Sequence, residues 1–240
     1  MIAGFILNDI VDRDIDKINK PITHIIGRTI SLQTAWLLFS VCTLLIFINS
    51  VYISCFMFRE WAVISPIVYL LSVSYSLFLK RSPLFGNITM GLLAGFIPLV
   101  IMFFAKDCIA LLNNEKINIL IWLYAIFPFL IIVPRELSLD ISDIEGDKAS
   151  GCKTLPIVIG ARKSKILVAM LLSAVILVSF FVMYKYFYLT PTLCLVNLLL
   201  LFYLYKLRRT ETRIAYIRIG RFLWFVMILG LIGFTISTVY

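Results

Sequence analysis

What this 240-residue chain has little of narrows its class before any motif is read. There is one histidine, His24, in a polar connection, where it reads as a surface residue. The five cysteines, at 42, 55, 108, 152 and 194, have no paired or metal-ligand spacing. That excludes a disulfide framework or a cysteine metal site, and the thiols are expected to pack as small apolar groups. No basic region precedes the apolar residues 1–7, so no cleavable targeting segment is expected. The net charge of +9 comes without a basic stripe or an aromatic-basic module, which excludes nucleic acid as a partner. Nothing repeats at a short fixed period, and residues 1–240 read as a single domain. Charge is also missing from the middles of the apolar runs, which argues against ion conduction.

What is present is apolar length. Hydrophobic residues make up 62% of the chain and the mean hydropathy is +1.02, outside the range of ordinary soluble domains. Several runs reach the roughly 20 residues needed to cross a hydrocarbon core. Complete spans are expected at about 32–50, 61–79, 84–104, 117–139, 166–183, 187–205 and 217–239. Residues 1–7 form only a stub, too short to cross. The fold class is therefore all-α, a polytopic transmembrane helical bundle. Within the third span, Gly86, Gly91, Gly95 and Pro98 predict close helix approach or a kink. Ser31 is the expected cap of the helix that follows the first polar connection.

Lysine and arginine fix an orientation. Connections near 8–31, 80–83, 140–165 and 206–221 hold seventeen of them, and those on the other face hold four. By the positive-inside rule the first set is cytoplasmic, as expected for an integral protein of an inner or plasma membrane.

Two acidic stretches lie on that same face. The first, N-D-I-V-D-R-D-I-D at 8–16, places Asp9, Asp12 and Asp16 on one helical face with Asn8 at its edge, while Asp14 points nearly the opposite way. Alone, it reads equally well as a solvated helix end or as an oxygen-ligand site for Mg²⁺ completed by water and phosphate oxygens. The second, R-E-L-S-L-D-I-S-D-I-E-G-D at 135–147, spaces Glu136, Asp140, Asp143 and Asp147 by four, three and four on one stripe, with Glu145 opposite and Gly146 a candidate break. Carboxylates next to an apolar span are costly unless paired, hydrated or metal-bound, so the second cluster tips the first toward function. Two clusters on one face could hold Mg²⁺ ions against a diphosphate, with apolar helices housing a long hydrocarbon tail. Lys80, Arg81, Arg28, Arg135, Lys148 and Lys153 are candidate diphosphate contacts, with headgroup anchoring as the alternative for any one of them. Tyr75 reads as an interfacial aromatic or a site residue. Asn87, just inside the third span, needs a polar partner.

These residues resemble a known family. The stretches at 8–16 and 140–147 are similar to the two aspartate-rich motifs of the UbiA superfamily of intramembrane prenyltransferases, and Y-S-L-F-L-K-R-S-P-L-F-G-N at 75–87 and G-C-K-T-L-P at 151–156 are similar to further family segments. The resemblance covers essentially the whole chain. It implies nine helices around a central cavity, and Mg²⁺-dependent transfer of a polyprenyl group from its diphosphate to an acceptor. By position, Asn8, Asp9, Asp12 and Asp16 would serve one metal site and Asp140, Asp143 and Asp147 the other, with Lys80 and Asn87 near the diphosphate. Against that pattern this chain begins inside the second helix, so about one and a half helices are expected to be absent. Where family members carry a basic residue and proline, it has His24 and Ile25. The segment I-D-K-I-N-K-P at 15–21 and the D-I-E-G-D ending look most like the branch that prenylates geranylgeranylglyceryl phosphate. Aromatic acceptors of the hydroxybenzoate, naphthoate or homogentisate type are the alternative. A phosphoalcohol transferase would need a D-G and A-R pair that is missing here, and a non-enzymatic cation carrier is the remote alternative.

Overall fold

The computed structural model describes residues 2–19, 21–104 and 115–239; the connection bearing Lys106, Asp107 and Cys108 lies outside them. In chain order the helices are α1 Ile2–Val11, α2 Arg13–Asn19, α3 Leu32–Phe56, α4 Trp61–Leu77, α5 Phe85–Phe104, α6 Glu115–Ser142, α7 Ile144–Ala149, α8 Leu155–Ile159, α9 Ala161–Lys185, α10 Thr190–Arg208 and α11 Arg213–Val239. Short 3₁₀ turns occupy Leu79–Arg81 and Phe187–Leu189. Among the described residues the one extended feature is an isolated bridge between Ile26 and Ile30.

Among the described residues six helical segments are long and apolar enough to cross a membrane: Leu32–Phe56, Trp61–Arg81, Glu115–Ser142, Ala161–Lys185, Phe187–Arg208 and Arg213–Ser237. The protein is thus a multi-pass integral membrane protein of all-α architecture. The remaining expected span, the third, corresponds to α5, whose apolar part is described with its side chains over Phe85–Val100. Residues such as Leu37, Leu44, Phe47 and Leu70 are exposed, as hydrocarbon-facing side chains must be.

The chain falls into two compact units. One comprises Met1–Thr89 with Asp143–Thr154, the other Met90–Ser142 with Leu155–Tyr240. In the first, α1 packs on α3 and α4, and α2 packs on α7. Ile10, Ile26 and Ala35 form a small core, joined by Ile6, Ile30, Leu32 and Phe39, that seats the 21–31 connection against α1 and α3. Gly27, with φ 86°, makes the turn, and Ser31 caps α3 by accepting from the Thr34 amide at 3.1 Å, as its position predicts.

In the second unit α6 is central, packing against α8, α9 and α11. The close approach expected of the third span's glycines occurs here. A Cβ at Gly95 would run into the Ala125 carbonyl, and one at Gly91 would lie 2.7 Å from a Val133 methyl. Gly230 admits the Phe127 ring in the same way, at 2.5 Å. Polar pairs tie the helices where water is absent: Ser138 and Tyr203 share a 2.7 Å hydrogen bond between α6 and α10, and Asn197 donates to Ser179 at 2.7 Å between α10 and α9.

Candidate active site

The first acidic motif is not one uninterrupted helix. It divides at Asp12 between α1 and α2, yet the Asp12 amide still donates to the Asn8 carbonyl at 2.8 Å and the Asp16 amide to the Asp12 carbonyl at 2.7 Å. The i to i−4 path therefore survives the junction, and the expected facial grouping of Asp12 and Asp16 with Asn8 is preserved. Asp14 points elsewhere, as expected. Hydrogen bonds from Arg13 and then Lys17, the latter at 2.7 Å, hold its carboxyl down to about 2 on a fully exposed surface. It is a solvated pair and contributes little.

The second motif breaks one turn earlier than its glycine suggests. Here α6 ends at Ser142, Asp143 sits between helices with φ −108° and ψ 8°, and Gly146 is helical and buried within α7. The Asp147 amide donates to the Asp143 carbonyl at 3.0 Å, so these two carboxylates keep helical spacing. Asp140, Arg135 and Glu136 remain on α6, in the second unit. There Arg135 pairs with Glu136 and lies 5.7 Å over the Trp224 ring, while Asp140 is half-buried.

In the first unit the Lys80 ammonium is ion-paired with Asp12 and donates to the Asn8 side-chain oxygen at 3.0 Å. Its side chain is 12% exposed and that of Asp12 is 15%, so this pair sits mostly out of water. Local chain geometry puts Lys80 there. α4 ends at Leu77, a 3₁₀ turn carries Lys80, and Leu84 at φ 66° swings the chain into α5. Gly86 then passes so close that a Cβ would lie 2.7 Å from the Lys80 Cα. Asn87, on the first turn of α5, is consequently buried at 4% exposure and, with Tyr75 on α4, engaged in polar or ring contacts.

A strap closes the same unit. Gly151, with φ 72°, turns the chain out of α7, the Cys152 amide donates to the Asp147 carbonyl at 2.9 Å, and the Lys153 amide donates to the Arg81 carbonyl at 2.8 Å. The Asp147 carboxyl feels this enclosure. Burial, then the charge of Asp143, push it up to about 6, while the nearby Thr154 hydroxyl and the Lys80 charge pull the other way. Asp12 also raises it, so charges from both motifs act on one carboxyl. Lys148 is exposed on α7. Asp9 and Asp16 line a pocket of about 120 Å³ with Arg13, Thr23, His24, Ile25 and Ile26, which places the histidine beside the motif rather than on open surface. Cys152 is buried, whereas Cys55 and Cys194 are exposed on their helices.

Among the described residues no three His, Cys, Asp or Glu side chains form a ready-made metal cage. Sequence reasoning also passed over Asn19, which is 4% exposed and donates to the Asp143 carbonyl at 3.5 Å. Its one signal was its place just before the helix-stopping Pro21, where it read as part of a polar connection.

Comparison with known proteins decides the class. The UbiA prenyltransferase family matches residues 1–226. The chain belongs to this family. The digeranylgeranylglyceryl phosphate synthase of Methanobrevibacter smithii is 31% identical over 99% of this chain and 83% of its own length. A solved structure described as digeranylgeranylglyceryl phosphate synthase in membranes superimposes with a TM-score of 0.63 at 24% identity, covering 99% of this chain and 81% of the other. A UbiA homologue from Aeropyrum pernix gives 0.69 at 18% identity, covering 98% and 84%. At such identities the two structures establish the fold, which is UbiA-like. The protein is accordingly a prenyltransferase.

Proposed function

We propose that this protein transfers a geranylgeranyl group from its diphosphate to geranylgeranylglyceryl phosphate, releasing diphosphate. The reading rests on the cluster in the first unit, where Lys80 holds Asp12 and Asn8 of one motif while Asp143 and Asp147 of the other are half-buried with the charge of one acting on the other. An ammonium has three donors, so Lys80 can keep both partners and still offer an N–H to a diphosphate oxygen.

The donor chemistry suits Mg²⁺. This ion keeps several waters and takes one or two carboxylates plus phosphate oxygens, so it needs no three-carboxylate cage. Asn8, Asp9, Asp12 and Asp16 would hold it on one side and Asp143 and Asp147 on the other. When bound, Mg²⁺ supplies neutralisation of the charge that develops on the diphosphate. Asn87, Tyr75 and Lys148 are the further diphosphate contacts in this reading. The allylic C–O bond breaks with its electron pair leaving on diphosphate, an acceptor hydroxyl oxygen supplies the pair for the new C–O bond, and the hydroxyl proton is given up to the released diphosphate or to water. We read α5 as a seventh crossing, beside the N-terminal stub, and place both aspartate motifs on the cytoplasmic face, in line with the seventeen-to-four charge bias.

The likeness of the archaeal lipid synthases over the full chain favours the lipid acceptor. The test is a mass-spectrometric acceptor screen on membranes containing the protein and geranylgeranyl diphosphate, with geranylgeranylglyceryl phosphate, hydroxybenzoate, naphthoate and homogentisate offered separately. A prenylated glyceryl phosphate is expected. Prenylated aromatic product alone would move the protein to the quinone-type acceptors, and ion flux without turnover would remove it from transfer chemistry.

A further inference from the structure

From the packing of α2 on α7 we infer that Asn19 is a positioning residue, an amide clamp that sets the second aspartate motif against the first. The inference rests on the functional reading above for its catalytic meaning, and on geometry for the clamp itself.

Asn19 closes α2, three residues beyond Asp16, and is 4% exposed. A polar amide is not buried without a return, because an unpaired one costs free energy on the scale of a lost hydrogen bond. Its Nδ2 donates to the Asp143 carbonyl at 3.5 Å. That carbonyl also accepts the Asp147 amide at 3.0 Å, and so it is the acceptor on which the turn carrying Asp147 is wound. Holding it fixes both the origin of α7 and the placement of Asp143 and Asp147 relative to Asp16.

Gly146 completes the clamp. A Cβ built there would lie 2.5 Å from the Cγ, Nδ2 and Oδ1 of Asn19 alike. Equal distances to three atoms mean that the amide plane lies flat over the glycine Cα, a seat that any side chain at 146 would occupy. The conformation of Gly146 is helical, with no left-handed backbone to explain the glycine. Close approach does explain it. Asn19 and Gly146 lie 127 residues apart and neither reads as a ligand. Together they convert two separate acidic helices into one assembly. Groups that orient metal-binding side chains without touching the ion typically carry about 10- to 100-fold in affinity.

The test has two arms. In metal-free protein, the melting temperatures of Asn19→Ala, Gly146→Ala and the double variant form a coupling cycle. Each single change is expected to lower the midpoint, and the double to lower it by less than their sum, because the new methyl fills the space the amide vacates. Additive shifts would overturn the clamp. In the second arm, Mn²⁺ is titrated by electron paramagnetic resonance as a probe of the carboxylates. Asn19→Ala is expected to bind about 10-fold more weakly, with Asn19→Asp in between. Folded Asn19→Ala that binds Mn²⁺ as wild type does would overturn the positioning role. Wild-type protein that binds no Mn²⁺ would instead count against the functional reading, while the coupling cycle still decides the clamp.

Discussion

Among single residues, Lys80 carries the most. It neutralises Asp12 in a setting where both side chains are mostly withdrawn from water, and stripping one partner from a buried pair costs on the order of 3 kcal/mol. A Lys80→Met variant is therefore expected to do two things. It should lower the melting temperature, and it should cut diphosphate release by about 10² to 10³, the range for loss of one preorganised electrostatic donor. A variant with wild-type turnover in a radiolabelled-diphosphate assay would detach Lys80 from the chemistry. Asp147 gives a pH dependence. Its carboxyl is raised to about 6, so folding favours the protonated acid, and metal-free stability is lost as pH rises through about 6. Metal binding needs the carboxylate and runs the other way: Mg²⁺ affinity should climb through about pH 6 and level off above it. Calorimetric titrations at several pH values in two buffers would show the accompanying proton release. A flat affinity between pH 5 and 7 would contradict the assignment.

Elements meet here through small residues and polar pairs, because lipid tails leave little hydrophobic difference to drive helix association. α5 and α6 approach until a side chain at residue 95 would meet backbone. Gly95→Leu is expected to cost about 1 to 3 kcal/mol through overpacking, seen as a lower melting temperature in detergent, whereas substitution at the exposed Leu37 should leave it unchanged. Both acidic motifs change helix at an aspartate, Asp12 in one and Asp143 in the other; i to i−4 bonds run through the first junction, whereas at the second the Asp143 carbonyl starts the ladder of α7 by accepting the Asp147 amide.

At the scale of the whole molecule, orientation is the prediction. Seventeen basic residues on one set of connections against four on the other place residues 140–165 inside and the connection at Arg59 outside. A membrane-impermeant thiol reagent applied to intact cells should label Arg59→Cys and spare Glu145→Cys, both in a background lacking the native cysteines. The reverse pattern would put the aspartates on the outer face.

Much of this was legible in the chain. Apolar runs of crossing length determine an all-α membrane protein, since only segments that satisfy their own backbone hydrogen bonds can span hydrocarbon. Carboxylates at helical spacing beside such runs mark the candidate site, and the cap at Ser31 and the separate fate of Asp14 follow from local rules. Tertiary structure alone decided three things. It put Lys80 on Asp12 and Asn8 across more than sixty residues of sequence, and it drew His24 beside the first motif. It also buried Asn19 against Gly146. The reason is common to all three. Periodicity reports which face of one helix a residue occupies, whereas the partner on that face comes from another element, chosen by how closely the two backbones can approach.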